Sequence, residues 1–143
     1  MTLHLVKLAV GVENVGDFET WIARRLREAR QRGEAPVYRH ITRRMPKRTA
    51  ELLEGGSLYW VVAGAIRVRQ RLLGFETREE GGKSCCAIVL EASLVPTRAK
   101  PHRPFQGWRY LLSEDAPRDA GGGGALTAIP PQLADELQKL GLL

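Results

Sequence analysis

Three stretches of the chain bring together side chains that could hold an anion. The first is RHITRRMPKR, Arg39 to Arg48, with one histidine, one threonine and five arginine or lysine side chains just ahead of a short helical pattern. Arginine forks match phosphate oxygens, and backbone N–H groups at a helix start point at the same charge. Arg43, Arg44, Lys47 and Arg48 are therefore expected to grip phosphates, with His40 and Thr42 as a polar site beside them. The second stretch, HRPFQGWRY from His102 to Tyr110, alternates Arg103 and Arg109 with Phe105, Trp108 and Tyr110, around Gln106. Rings interleaved with guanidinium groups suit bases that stack while their phosphates are held. The third is Arg67, Arg69 and Arg71, whose period of two places them on one face of a strand. Tyr59 and Trp60, just upstream, join Trp108 as candidate base-stacking rings. Each stretch also has a plainer account. The arginines can form solvated faces bridged by Glu76, Glu79 and Glu91, and the aromatics can close the core.

Other chemistries find little support. The chain has no P-loop, no G-x-G-x-x-G after a strand and no G-x-S-x-G. Its two cysteines, Cys85 and Cys86, are neighbours in mid-strand, so neither a disulfide framework nor zinc spacing is present. His4 lacks a metal-spaced partner and reads as a packed histidine. No catalytic residue, metal or cofactor is expected. His40-Ile41-Thr42 does have the His-x-Thr spacing of two-histidine phosphoesterases. Those enzymes need a second such motif, and neither His4-Leu5-Val6 nor His102-Arg103-Pro104 supplies one.

The elements that must carry these groups are legible in outline. A chain of 143 residues with 43% apolar and 27% charged side chains is long enough to bury one core. Its formal net charge of +6 favours an anionic partner, nucleic acid first. Without a signal-peptide pattern or an apolar run long enough for a membrane helix, a cytoplasmic protein is expected, with no membrane partner. Leu3 to Val10 reads as a central strand. A helix capped by Asp17 follows and ends at Gly33. Val37 to Thr42 reads as a strand, and MPKRTAELLEGG as a short helix with Pro46 in its first turn. The alternation from Gly55 to Glu76 gives the longest β stretch, in which Gly64 marks either a hairpin or a bulge. Lys83 to Glu91 forms another strand after a Glu79–Gly82 turn. Thr97 to Pro104 reads as an extended surface segment, and FQGWRYLL as a docking strand. Residues 1–120 should form one globular unit, and 121–143 a glycine-rich joint followed by a helix.

Taken together, the blocks HITRRMPKRTAELLEGGSLYWVVAGAIRVRQRLLGFE and HRPFQGWRYLLSEDAP resemble an uncharacterised family of this length, found mainly in alphaproteobacteria. It is known as a domain of unknown function. The resemblance runs to about Pro117 and transfers no activity. The layout of Gly55-Gly56-Ser57, a strand to Val62, Gly64 and a strand from Ile66 also resembles PUA-like and ASCH-type domains. These are small mixed barrels, and the resemblance implies RNA or modified-base binding in a basic cleft. Ser57 stands where many relatives carry an acidic residue.

The resulting expectation is an α+β fold with a curved, mainly antiparallel sheet or partial β-barrel and two or three packed helices. It would be a binding module for RNA, a nucleotide or a modified base. The alternatives are a small enzyme acting through His40 and a dimerisation protein using the last helix.

Overall fold

The computed structural model describes residues 2–120. The last helix, the glycine-rich joint and the dimerisation reading built on them lie outside the described residues. Seven strands and two α-helices follow one another as β1 (Leu3–Leu8), α1 (Val15–Gln31), β2 (Tyr38–Thr42), α2 (Thr49–Leu52), β3 (Ser57–Val62), β4 (Ala65–Glu80), β5 (Lys83–Leu90), β6 (Val95–Pro101) and β7 (Trp108–Leu112). The strands form one mixed sheet in the order β2-β5-β4-β3-β1-β7, with β6 also paired to β4. Only β1 and β3 run parallel; the other pairings are antiparallel. The protein is α+β, as expected, and its sheet is open rather than a closed barrel.

β4 organises the sheet. Its first half pairs β3 on one side and β6 on the other, and its second half pairs β5. Two register shifts, one between Ile66 and Val68 and one between Leu72 and Gly74, bend it along its length. Gly64 belongs to a hairpin. Ala63 and Gly64 have φ of 49° and 81°, the positive pair needed by a two-residue turn that follows strand twist. Gly81 and Gly82, at 58° and 78°, make the equivalent turn between β4 and β5.

Both faces of the sheet's middle are covered. One face buries Leu5, Leu58, Trp60, Val68, Ile88 and Leu90 against Phe18 and Ile22 of α1 and Leu52 of α2. The other buries Val6, Tyr59, Val61, Ile66 and Leu111, with Phe105 and Ala116 packed alongside. Trp60 is 1% exposed and fully enclosed, so its indole N–H needs a protein partner; it donates to Gln70 Oε1 at 2.9 Å.

α1 starts earlier than the Asp17 cap suggests. Asn14 is the N-cap, and its Oδ1 accepts from the Asp17 N–H at 2.8 Å. The other end matches expectation. Glu34 N–H donates to Ala29 O and Gly33 N–H to Arg30 O, a glycine-terminated cap with Gly33 at φ 73°. The short helix begins at Thr49 rather than at Pro46. The segment read as a surface stretch is largely strand β6. Pro96 and Pro101 are tolerated there because β6 borders the sheet beside β4. Gly56 has a steric reason. A Cβ at this position would lie 2.3 Å from Leu52 O and 2.4 Å from Leu3 O.

Candidate functional site

β2 and β7 are the two edges of the sheet, and the curl set by β4 brings them near one another without strand pairing. Side chains and loops cross the seam instead. The Trp108 indole N–H, at the start of β7, donates to Arg44 O at 2.8 Å, and the Arg44 guanidinium lies 4.4 Å from the Trp108 ring centroid. The Tyr110 hydroxyl accepts from the Lys47 and Arg48 backbone N–H groups at 3.1 and 3.3 Å.

Above these contacts the seam opens into a groove of about 910 Å³. Thr42, Arg43 and Arg44 enter it from the end of β2, Lys83 and Cys85 from the start of β5, Lys7 from β1, and Gln106 from the loop before β7. Register explains the convergence: Thr42 pairs with Cys86, and Lys7 with Trp108. Among the described residues, Lys7, Arg43, Arg44 and Lys83 make no ion pair, and Glu80 is the carboxylate that lines the groove with them. Half-burial holds the Lys7 ammonium below its ordinary pKa, because desolvation penalises its charge. A narrower hollow of about 350 Å³ adjoins the groove and is lined by Arg44, Lys47, Trp108, Arg109 and Tyr110.

Two of the three basic stretches therefore meet, and the third stays apart. Arg67, Arg69 and Arg71 do not share a face, since the shift at Arg67 interrupts the period of two. Ile66 packs in one core and Val68 in the other. Arg67 is buried and donates through Nε to Val62 O at 2.6 Å, at the hairpin. Arg69 lies in a separate hollow, where its Nε and Nη2 donate to the Asp119 carboxylate, both at 2.7 Å, and Nη1 to Ser57 Oγ. That bonding raises the Arg69 pKa and lowers that of Asp119. Glu76 bridges Arg39 of β2 and Arg78 further along β4.

The phosphate cradle at the short helix is also taken. The Lys47 and Arg48 N–H groups already bond Tyr110, α2 is four residues long, and Arg48 pairs with Glu51 at 2.5 Å. Arg109 lies over Phe105, 4.7 Å from its centroid, while Arg103 is solvent-exposed in the loop before β7. Tyr59 and Trp60 are core side chains at 5% and 1% exposure, which leaves neither ring open to a base. Trp108 is 5% exposed, and Arg44 lies over its ring.

Sequence reasoning missed Lys7 and Lys83 as groove residues. Their signal was a charge at each end of an apolar strand, and only pairing puts the two ends together.

His40 lies on the far side of Ile41 from the groove, in a cavity of about 240 Å³ beside α1. Its Nε2 is buried without a hydrogen-bond partner, and its ring meets the Trp60 ring edge-on at 5.0 Å. Burial, with Lys7 and Arg25 nearby, lowers its pKa to about 4. The phosphoesterase reading needs a second polar group bonded to this imidazole, and among the described residues Nε2 has none. His4 is the packed histidine expected, accepting from the Ser57 N–H at 3.0 Å through Nδ1.

Fold and groove thus define an α+β module with a cationic seam. The chain belongs to the family described as "protein of unknown function (DUF1489)", whose model matches residues 5–143 and so extends past Pro117 into the C-terminal segment. No curated protein and no solved structure matches the chain. No helix among the described residues is long and apolar enough to cross a membrane.

Proposed function

We propose that the protein is a binding module for an anionic ligand seated in the seam groove, with single-stranded RNA or a nucleotide as the preferred class. One observation carries this reading: Lys7, Arg43, Arg44 and Lys83 surround a single groove, with Glu80 the carboxylate in its lining. Cations crowded in this way repel one another until an anion neutralises them. Arg44, backed by the Trp108 ring, offers a planar guanidinium on which a base can stack while Arg43 and Lys83 hold phosphates. Thr42 and Gln106 add hydrogen-bonding groups at the rim. The PUA-like layout of the sequence points the same way, as a likeness of pattern.

The test is fluorescence anisotropy with a labelled single-stranded RNA at graded salt. Four neutralised phosphates give a log–log slope of roughly −3, so affinity falls about fifty-fold between about 50 and 200 mM salt. Arg43→Glu combined with Lys83→Glu removes binding, whereas Arg71→Glu, outside the groove, leaves it unchanged. Absent or salt-insensitive binding, or equal loss with Arg71→Glu, rejects the proposal.

A further inference from the structure

The hollow that holds Arg69 lies on the face of the sheet turned away from α1 and has a volume of about 380 Å³. His4, Ser57, Tyr59 and Arg69 line it from three neighbouring strands, β1, β3 and β4. Register sets them side by side: Tyr59 pairs with Arg69, and Leu5 with Leu58, which puts His4 next to Ser57. His4, Ser57 and Tyr59 are 8%, 2% and 5% exposed, and the His4 ring meets the Tyr59 ring edge-on at 5.0 Å. Neither His4 Nε2 nor the Tyr59 hydroxyl has a hydrogen-bond partner among the described residues. Neither atom is sealed, so both open onto the hollow that their side chains line.

The donor and acceptor roles here are fixed. His4 Nδ1 accepts from the Ser57 N–H, and burial, with Arg69 adding to it, lowers the pKa of the ring. Near pH 7 the one proton of the imidazole is therefore on Nε2. Burial raises the Tyr59 pKa, which keeps the phenol protonated. Ser57 Oγ accepts from Arg69 Nη1, which leaves its own hydrogen to donate. Asp119 is the carboxylate in the lining, against the cations of Arg69 and Arg118. Donors and positive charge are thus in excess. Water brings as many hydrogens as lone pairs, whereas a carboxylate only accepts and supplies the opposite charge.

We propose that this hollow is a second binding site, one that takes a small hydroxycarboxylate: its carboxylate receives the hydrogens of His4 Nε2 and Tyr59 beside the Arg69 guanidinium, and its hydroxyl donates to Asp119. At about 380 Å³ the hollow falls at the low end of ligand pockets, which fits a small metabolite. None of these groups lines the seam groove, so the proposal stands independently of the groove's ligand.

Glycolate is the probe, with acetate lacking the hydroxyl and ethylene glycol lacking the carboxylate, all at constant ionic strength in sodium chloride. Binding is read from long-range proton–nitrogen spectra of the three histidine rings and from the melting temperature. Glycolate is expected to shift the His4 ring signals saturably, leave those of His40 and His102 in place, and raise the melting temperature. Acetate binds several-fold more weakly, and ethylene glycol gives no shift. Tyr59→Phe keeps the ring packing and weakens glycolate at least tenfold, the loss of one hydrogen bond to a charged group. No saturable His4 shift up to roughly 50 mM glycolate overturns the proposal, as does an equal response to acetate or ethylene glycol, or unchanged affinity in Tyr59→Phe.

Discussion

Acidification should weaken this fold through one imidazole before most carboxylates titrate. His40 is held neutral to about pH 4 by burial and by the charges of Lys7 and Arg25. In the unfolded chain it takes up a proton near its ordinary value of 6.5. Between those limits the unfolded state binds more protons, so stability falls as pH falls. The stabilising contribution is complete above pH 6.5 and lost on the way down to about 4. A gap of that size corresponds to roughly 3 kcal/mol in the limit, of which roughly 2 kcal/mol is lost between about pH 7.5 and pH 5. His4 is also lowered by burial, with Arg69 adding to it, and it contributes in the same direction. The comparison must therefore be differential. Urea unfolding of the native protein and of His40→Leu, at both pH values, should show the variant losing about 2 kcal/mol less on acidification. At neutral pH the variant should be at least as stable, because no polar atom is orphaned. Parallel pH curves for the two proteins would refute the reasoning, since they would mean that His40 is solvated enough to titrate normally.

Two further substitutions test the packing that positions the groove. Gly56→Ala drives a Cβ between Leu52 O and Leu3 O, both backbone atoms, and should cost at least about 3 kcal/mol in urea unfolding. A cost under about 1 kcal/mol would show that α2 and β1 can part freely. Gln70→Leu strands the buried Trp60 indole N–H and removes a donor at 3.0 Å from Glu91 O, so it should cost about 1–3 kcal/mol. The double variant Trp60→Phe/Gln70→Leu should be less destabilised than the sum of its parts, and strict additivity would deny the coupling.

Some of this was legible in the residues because it rests on local rules. The Gly33 cap, the Glu79–Gly82 turn and the alternation of β5, with Cys86, Ile88 and Leu90 inward, follow from backbone conformation and periodicity, whereas the choice between hairpin and bulge at Gly64 needed the structure. The same rules misled at Arg67. One extra residue in β4 sends it into a buried bond with the hairpin carbonyls, and side-chain alternation carries no trace of a bulge that exists only relative to a partner strand. β6 was missed because prolines lower strand propensity, although a strand bordering the sheet tolerates them.

The sequence by itself determined the excess of positive charge, the α+β class and the basic and aromatic composition of the 39–48 and 102–110 segments. Only the tertiary structure decided which of those charges are neighbours. The bends in β4 curl the open sheet until its edges β2 and β7 meet across Trp108 and Arg44, gathering Lys7, Arg43, Arg44 and Lys83. The physical reason is that a salt bridge or a groove is a distance between residues far apart in the chain. That distance is set by register and curl, which are properties of strand pairs rather than of any one segment.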